Sequence, residues 1–167
     1  MNVHRVRKAV TQPALWLVLP VAFLVSGCAS WDGNSEEVVF TGGGGIDLYG
    51  TLVFPDEVPT PAPAIVMLHG AERATRDRFI YPITVKIFLE RGLAVLTYDK
   101  RGAGQSGGDY ESTTYEQLIQ DAVAAIAFLR SHPAIDADRI GIFGVSESGW
   151  LTPEIIERSG NIAFLIN

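Results

Sequence analysis

An α/β architecture, with a mostly parallel sheet and helices on both of its faces, is the fold this sequence predicts, and three observations predict it. Four short runs, "AIVMLHG", "LAVLTYD", "RIGIFGV" and "IAFLIN", are almost continuously apolar, as strands are when both their faces are buried. Stretches with helical spacing of apolar residues lie between these runs. Gly or Pro stands beside the predicted ends of those stretches, where a helix starts or stops. Strands alternating with helices imply parallel pairing through crossovers, with helices covering both faces. In such sheets the sites gather at the carboxyl ends of the strands, which sorts the candidate residues below.

Taken in order, the chain opens as an address. Arg5, Arg7 and Lys8 precede the apolar run "PALWLVLPVAFLVSG", which is shorter than the roughly 20 residues of a membrane-spanning helix and is interrupted by Pro20. Small residues then stand directly before Cys28. This order resembles a bacterial lipoprotein signal over residues 1–27, with Cys28 as the lipidated residue. An ordinary secretory signal with an incidental cysteine is the alternative. Residues 28–36 read as a polar tether and 37–167 as the folded part. Cys28 is the only cysteine, so no intrachain disulfide forms and no cysteine-based metal cluster is built.

"EEVVF" and "IDLYGTLVFP" predict two strands joined by "TGGGG" as a hairpin turn, and the Pro-rich "PDEVPTPAPA" is a surface connection. The run "YPITVKIFLERG" predicts a helix with Pro82 near its first turn and Gly92 just past its end. In "TTYEQLIQDAVAAIAFLRSHP", Thr113 and Glu116 have capping-box spacing, and Leu118, Ile119, Ala122, Ile126 and Leu129 form the apolar stripe. "SGWLTPEIIERSG" predicts a third helix with Pro153 in its first turn.

Without residues 1–27 the chain has 140 residues, enough for one domain with a core. Ten Lys and Arg then face nineteen Asp and Glu, a formal charge of −9. That balance excludes the basic footprint that nucleic acid requires and opposes electrostatic adhesion to anionic lipid, so attachment to a membrane would come from the lipid anchor.

Two glycine patterns are decoys. Gly102, Gly104 and Gly107 satisfy G-x-G-x-x-G after a strand, but "GDYEST" follows where a dinucleotide fingerprint must open a helix. Gly144 and Gly149 have phosphate-loop spacing, yet Trp150 stands where lysine is required. No cofactor and no metal is expected. "GIFGVSESGW" is different in kind. A strand that ends, reverses and enters a helix within a few residues needs small side chains around the one it lifts above the sheet. Gly144, Ser148 and Gly149 occupy those places around Ser146, the candidate nucleophile; Ser148 fails the same test, because Trp150 is too large for its turn. An oxyanion formed by Ser146 needs preorganised amide donors. Glu147, at the helix N-terminus, and Ala71, in "LHGA" after the third strand, are the candidates. The Glu147 side chain reads as a specificity element or as solvated. His69 could be read as a base, but a histidine before glycine at a strand end more often braces a loop.

Together "GTLVFP", "VMLHGA", "YDKRGAGQSGG" and "IGIFGVSESGW" resemble the α/β-hydrolase superfamily, in particular its bacterial esterase and lysophospholipase-like branch, which includes serine aminopeptidase relatives. The likeness runs from about residue 38 to the end. It implies a sheet order of 1-2-4-3-5-6-7-8, Ser146 as nucleophile after strand five, Ala71 and Glu147 as oxyanion donors, and an acid and a histidine after later strands. Gly104 and Ser106 fall on the family pattern of the loop after strand four. Ser148 in place of glycine, and "GAER" in place of a Gly- and Pro-rich turn, are departures.

The base is missing. No histidine follows Ser146, and His132 precedes strand five, about 20 Å away along a seven-residue strand, whereas a general base works within about 3.2 Å. Glu154 and Glu157 are the carboxylates beyond the elbow, both on the third helix. The chain stops inside an apolar strand that would be a bare edge. The sequence therefore predicts the amino-terminal part of a longer exported, lipid-anchored serine hydrolase. Its substrate would be a small carboxylic ester, or alternatively an aminoacyl amide. A non-catalytic envelope lipoprotein using the scaffold for binding is the remaining alternative. Ala29 and Ser30 resemble the sorting residues of outer-membrane lipoproteins.

Overall fold

The structure is a computed structural model that describes residues 34–57 and 60–167. The predicted signal, the lipidation residue Cys28 and most of the tether lie outside the described residues. Asn34, Ser35 and Glu36, read from the sequence as the end of the tether, are instead the first residues of a strand, because they pair with Phe54, Val53 and Leu52.

The elements follow the predicted alternation. Strands β1 (Asn34–Thr41) and β2 (Asp47–Phe54) form an antiparallel hairpin closed by a 3-10 turn over Gly43–Gly45. Gly44 and Gly45 have φ of 74° and 78° there, a region costly for residues with a Cβ. β3 (Ala62–Met67) leads to α1 (Ile80–Leu89), β4 (Ala94–Tyr98) to α2 (Tyr115–Ser131), β5 (Ile135–Phe143) to α3 (Glu147–Ser159), and β6 (Phe164–Ile166) completes the described sheet. The strand order is β1-β2-β4-β3-β5-β6. β4, β3, β5 and β6 are parallel, and β2 joins β4 antiparallel. This is the order that the resemblance implies for the first six strands.

The near-continuous apolar runs have the expected cause. Along β3, Ala62, Ala64 and Val66 pack into one cluster with Ile126, Leu129, Leu151 and Ile155 of α2 and α3. Ile65 and Met67 point to the opposite face and pack with Tyr81, Val85 and Phe88 of α1. Alternate residues therefore enter separate cores, and no position of the strand is left for a polar side chain.

Two helix starts differ from expectation. The capping box of α2 is Thr114 with Gln117, one residue later than Thr113 with Glu116: the Thr114 hydroxyl accepts from the Gln117 N–H, and Gln117 accepts from the Thr114 N–H at 2.9 Å. Thr113 is diverted because its hydroxyl donates to the Asp109 carbonyl at 2.6 Å. Glu116 instead takes the Arg158 guanidinium with both oxygens, at 2.6 and 2.9 Å, which ties α2 to α3. Helix α3 begins at Glu147, so Pro153 lies inside the helix and not in its first turn. Proline has no N–H to give the carbonyl four residues back; one residue earlier, the Thr152 hydroxyl donates to the Ser148 carbonyl at 2.7 Å.

Candidate active site

The carboxyl ends of β3, β4 and β5 bring three segments together. The first is the elbow that follows β5. Ser146 has φ 53° and ψ −111° and immediately precedes α3, yet its side chain makes no capping bond. A non-glycine residue held at positive φ, with its hydroxyl exposed and making no capping bond, marks a strained turn of the kind an elbow requires rather than a helix cap.

The small residues around Ser146 act as the steric argument requires. A Cβ on Gly144 would meet the Ser148 hydroxyl at 3.0 Å and the Asn167 side chain at 2.8 Å, and one on Gly149 would meet Asn167 at 2.6 Å. Ser148, where the usual pattern has glycine, is buried. Its hydroxyl donates to the Val145 carbonyl at 3.0 Å and accepts from the Val145 N–H. The extra side chain bridges the elbow from inside, so the departure from glycine is accommodated by hydrogen bonds.

The second segment is the turn after β3. An ideal Cβ on Gly70 would lie 3.6 Å from the Ser146 Cβ and 3.4 Å from the Val145 carbonyl oxygen, so this turn runs directly against the elbow. Among the described residues, neither the Ala71 N–H nor the Glu147 N–H donates to a backbone or side-chain acceptor. Both sequence-predicted donors thus have amides without an internal acceptor, one in the turn that packs against Ser146 and one at a helix N-terminus.

The third segment, after β4, holds the other two together. Lys100 is buried, and its Nζ donates to the Gly70 carbonyl at 2.7 Å and to Glu147 Oε2 at 2.9 Å. It also stands 5.8 Å from the centre of the Tyr110 ring, and the Tyr110 hydroxyl donates to the Ala71 carbonyl at 2.6 Å. The Glu147 side chain, read from the sequence as a specificity element or as solvated, is thus an ion-pair partner that is only 14% exposed. Sequence reasoning missed Lys100. The available signal was a lysine two residues beyond a buried strand, at the sheet edge where sites gather.

The glycine loop turns beside the site, as its composition implied. Gly102 and Gly104 have φ of 70° and 51°. The Asp99 carboxylate accepts from the Arg76 and Gln105 N–H groups, both at 2.9 Å, and the Ser106 hydroxyl donates to the Asp99 carbonyl at 2.7 Å. Next to it Arg101 makes a two-pronged pair with Asp121, at 2.9 and 2.6 Å, and donates to the Gly43 carbonyl at 2.5 Å. A cavity of about 20 Å³, room for one water, lies among His69, Lys100, Arg101, Asp121, Glu147 and Ser148.

His69 braces the end of β3. Its Nε2 meets the Tyr98 carbonyl, which only accepts, so Nε2 carries the proton, and Nδ1 takes the Tyr81 hydroxyl at 2.8 Å. Burial is the main cause that lowers its pKa from 6.5 to about 4, and both ring nitrogens are occupied, which leaves no lone pair for Ser146. His132 lies just before β5, at the far end of that strand, with Nε2 2.8 Å from Glu36 Oε1. Neither histidine is placed to serve as base.

The sequence model of the X-Pro dipeptidyl-peptidase (S15) family matches residues 44–158, which include Ala71, Ser146 and Glu147. Thiohydrolase aneE of Aspergillus aculeatus is 35% identical over 115 residues, 68% of this chain and 35% of its own length. Esterase EstD of Thermotoga maritima is 34% identical over 106 residues, 59% of this chain and 25% of its own. Among solved structures, the α/β hydrolase GrgF from Penicillium superposes with a TM-score of 0.68 at 27% identity, covering 79% of this chain and 44% of GrgF. The chain therefore spans 35% and 25% of these two curated relatives and under half of GrgF.

Proposed function

The chain belongs to the X-Pro dipeptidyl-peptidase (S15) family, and from that premise we propose that it carries the nucleophile and oxyanion donors of a serine hydrolase acting on carboxylic esters. Ser146 Oγ attacks the acyl carbon, the Ala71 and Glu147 amides hold the oxyanion, the alcohol departs, and water releases the acid from the acyl-enzyme. The observation that carries the reading is the Ser146 backbone at φ 53°, with an exposed side chain that makes no capping bond and with the turn after β3 packed against it. No residue of 34–57 or 60–167 is placed to take the Ser146 proton. The proton passes to a base outside the described residues and from that base to the departing alcohol. Relatives named as an esterase and a thiohydrolase support oxygen- or sulfur-ester chemistry.

A second reading, cleavage of an aminoacyl amide, is favoured by the family's own name. Hydrolysis rates of the full-length protein on matched ester and aminoacyl substrates separate the two. An active-site phosphonate should label Ser146 in the wild type and not in Ser146→Ala; retained labelling in that variant refutes the assignment. Lipidation at Cys28, with a place in the bacterial cell envelope, belongs to the same proposal. Labelled fatty acid should enter the wild type and not Cys28→Ala, and equal incorporation refutes the anchor.

A further inference from the structure

We propose that Lys100 is a positioning residue that sets the orientation of the Ala71 amide, and thereby the oxyanion site, through its bond to the Gly70 carbonyl. The inference rests on the Ser146 reading and deepens it. The Gly70 carbonyl and the Ala71 N–H belong to one peptide unit. Because that unit is planar and trans, its C=O and N–H point in opposite directions. Lys100 Nζ holds the Gly70 oxygen at 2.7 Å, so it also turns the Ala71 N–H to the side away from itself. The neighbouring peptide is held separately, by the Tyr110 hydroxyl on the Ala71 carbonyl at 2.6 Å.

Gly70 makes such a hold necessary. A residue without a Cβ has the widest choice of backbone angles, and rotation of the Gly70–Ala71 unit would exchange the N–H for a carbonyl oxygen. An oxygen facing a developing oxyanion repels it. The same ammonium reaches Glu147 Oε2 at 2.9 Å, on the residue whose own N–H is the other donor. One buried cation, itself only 6% exposed, therefore fixes the turn after β3 and the start of α3 relative to each other. A lysine used only for surface charge would need neither acceptor.

The test pairs a structural and a kinetic measurement on the full chain. In Lys100→Met, of similar length but with no donor, a crystal structure should show the Gly70–Ala71 peptide rotated from its wild-type orientation. With a fluorophosphonate probe, the maximal labelling rate should fall about 10²–10³-fold, the scale of losing one oxyanion donor, while the probe concentration for half-maximal rate changes little. A purely structural role would move the unfolding midpoint and leave that split absent. An unchanged peptide, or an unchanged labelling rate, overturns the proposal. If Lys100→Met does not fold, Lys100→Gln, whose shorter neutral side chain cannot span both acceptors, is judged by the same outcomes. Labelling that persists in Ser146→Ala, or is absent from the wild type, counts against the nucleophile assignment; the crystallographic result decides on Lys100 independently.

Discussion

Acid should destabilise this protein through one histidine, and the size of the effect can be worked from the site. His69 is neutral in the fold, with Nε2 donating to the Tyr98 carbonyl and Nδ1 accepting from Tyr81. A second ring proton would displace that accepting bond in a dry position. Its pKa accordingly falls from 6.5 to about 4, burial being the largest cause. Between these values the unfolded chain binds a proton that the folded chain does not, so stability falls as pH falls. The contribution is complete above pH 6.5 and is lost through the window down to pH 4. Linkage over that interval gives a loss of about 2 kcal/mol between pH 7 and pH 5, and about 3 kcal/mol by pH 4. Carboxylates titrate in the same range, so the quantity to measure is a difference. Urea unfolding at pH 7, 5 and 4 should show the wild type losing that much more than His69→Gln, which has no group to protonate. If the two proteins lose stability in parallel, within about 0.5 kcal/mol, the assignment of His69 as a buried neutral brace is wrong.

Three further outcomes are expected. Ser146→Gly removes the one Cβ held at φ 53° in the elbow and should raise stability by about 1 kcal/mol in thermal unfolding while abolishing probe labelling; a lower melting temperature would contradict the strain. Asp121→Ala leaves the Arg101 guanidinium, 4% exposed, without its carboxylate, and should cost about 3–5 kcal/mol in urea unfolding; a loss below about 1 kcal/mol would mean that water reaches the pair. Gly104→Ala places a Cβ at φ 51° on top of the Asp99 carboxylate that holds the Arg76 and Gln105 amides. It should cost at least about 1–3 kcal/mol, and a melting temperature equal to wild type would refute the role given to that glycine.

Much of the fold was legible in the chain because its causes are local or periodic. Apolar runs bounded by turn residues announced β3 to β6; β3 shows the cause most fully, with its alternate residues entering two separate cores, while Leu165 and Ile166 of β6 are exposed. The elbow was legible for a related reason: the turn that lifts Ser146 needs small side chains two residues before it and two and three after it, where Gly144, Ser148 and Gly149 stand, a constraint written into a ten-residue window. Boundaries were less secure. The α2 cap shifted by one threonine because Asp109 competes for Thr113, and α3 starts early enough to enclose Pro153 because the elbow itself opens the helix.

What the sequence by itself determined is the order of strands and helices and the one serine whose neighbours leave room for a strained turn. Only the tertiary structure decided how that serine's surroundings are held. Lys100 reaches Gly70 and Glu147 across 30 and 47 residues, Tyr110 reaches Ala71 across 39, and Arg101 reaches Asp121 across 20. Periodicity and steric fit act between neighbours along the chain and so leave a local trace. Ion pairs and carbonyl latches depend on where separate loops converge, and that convergence is set by the packing of the whole sheet.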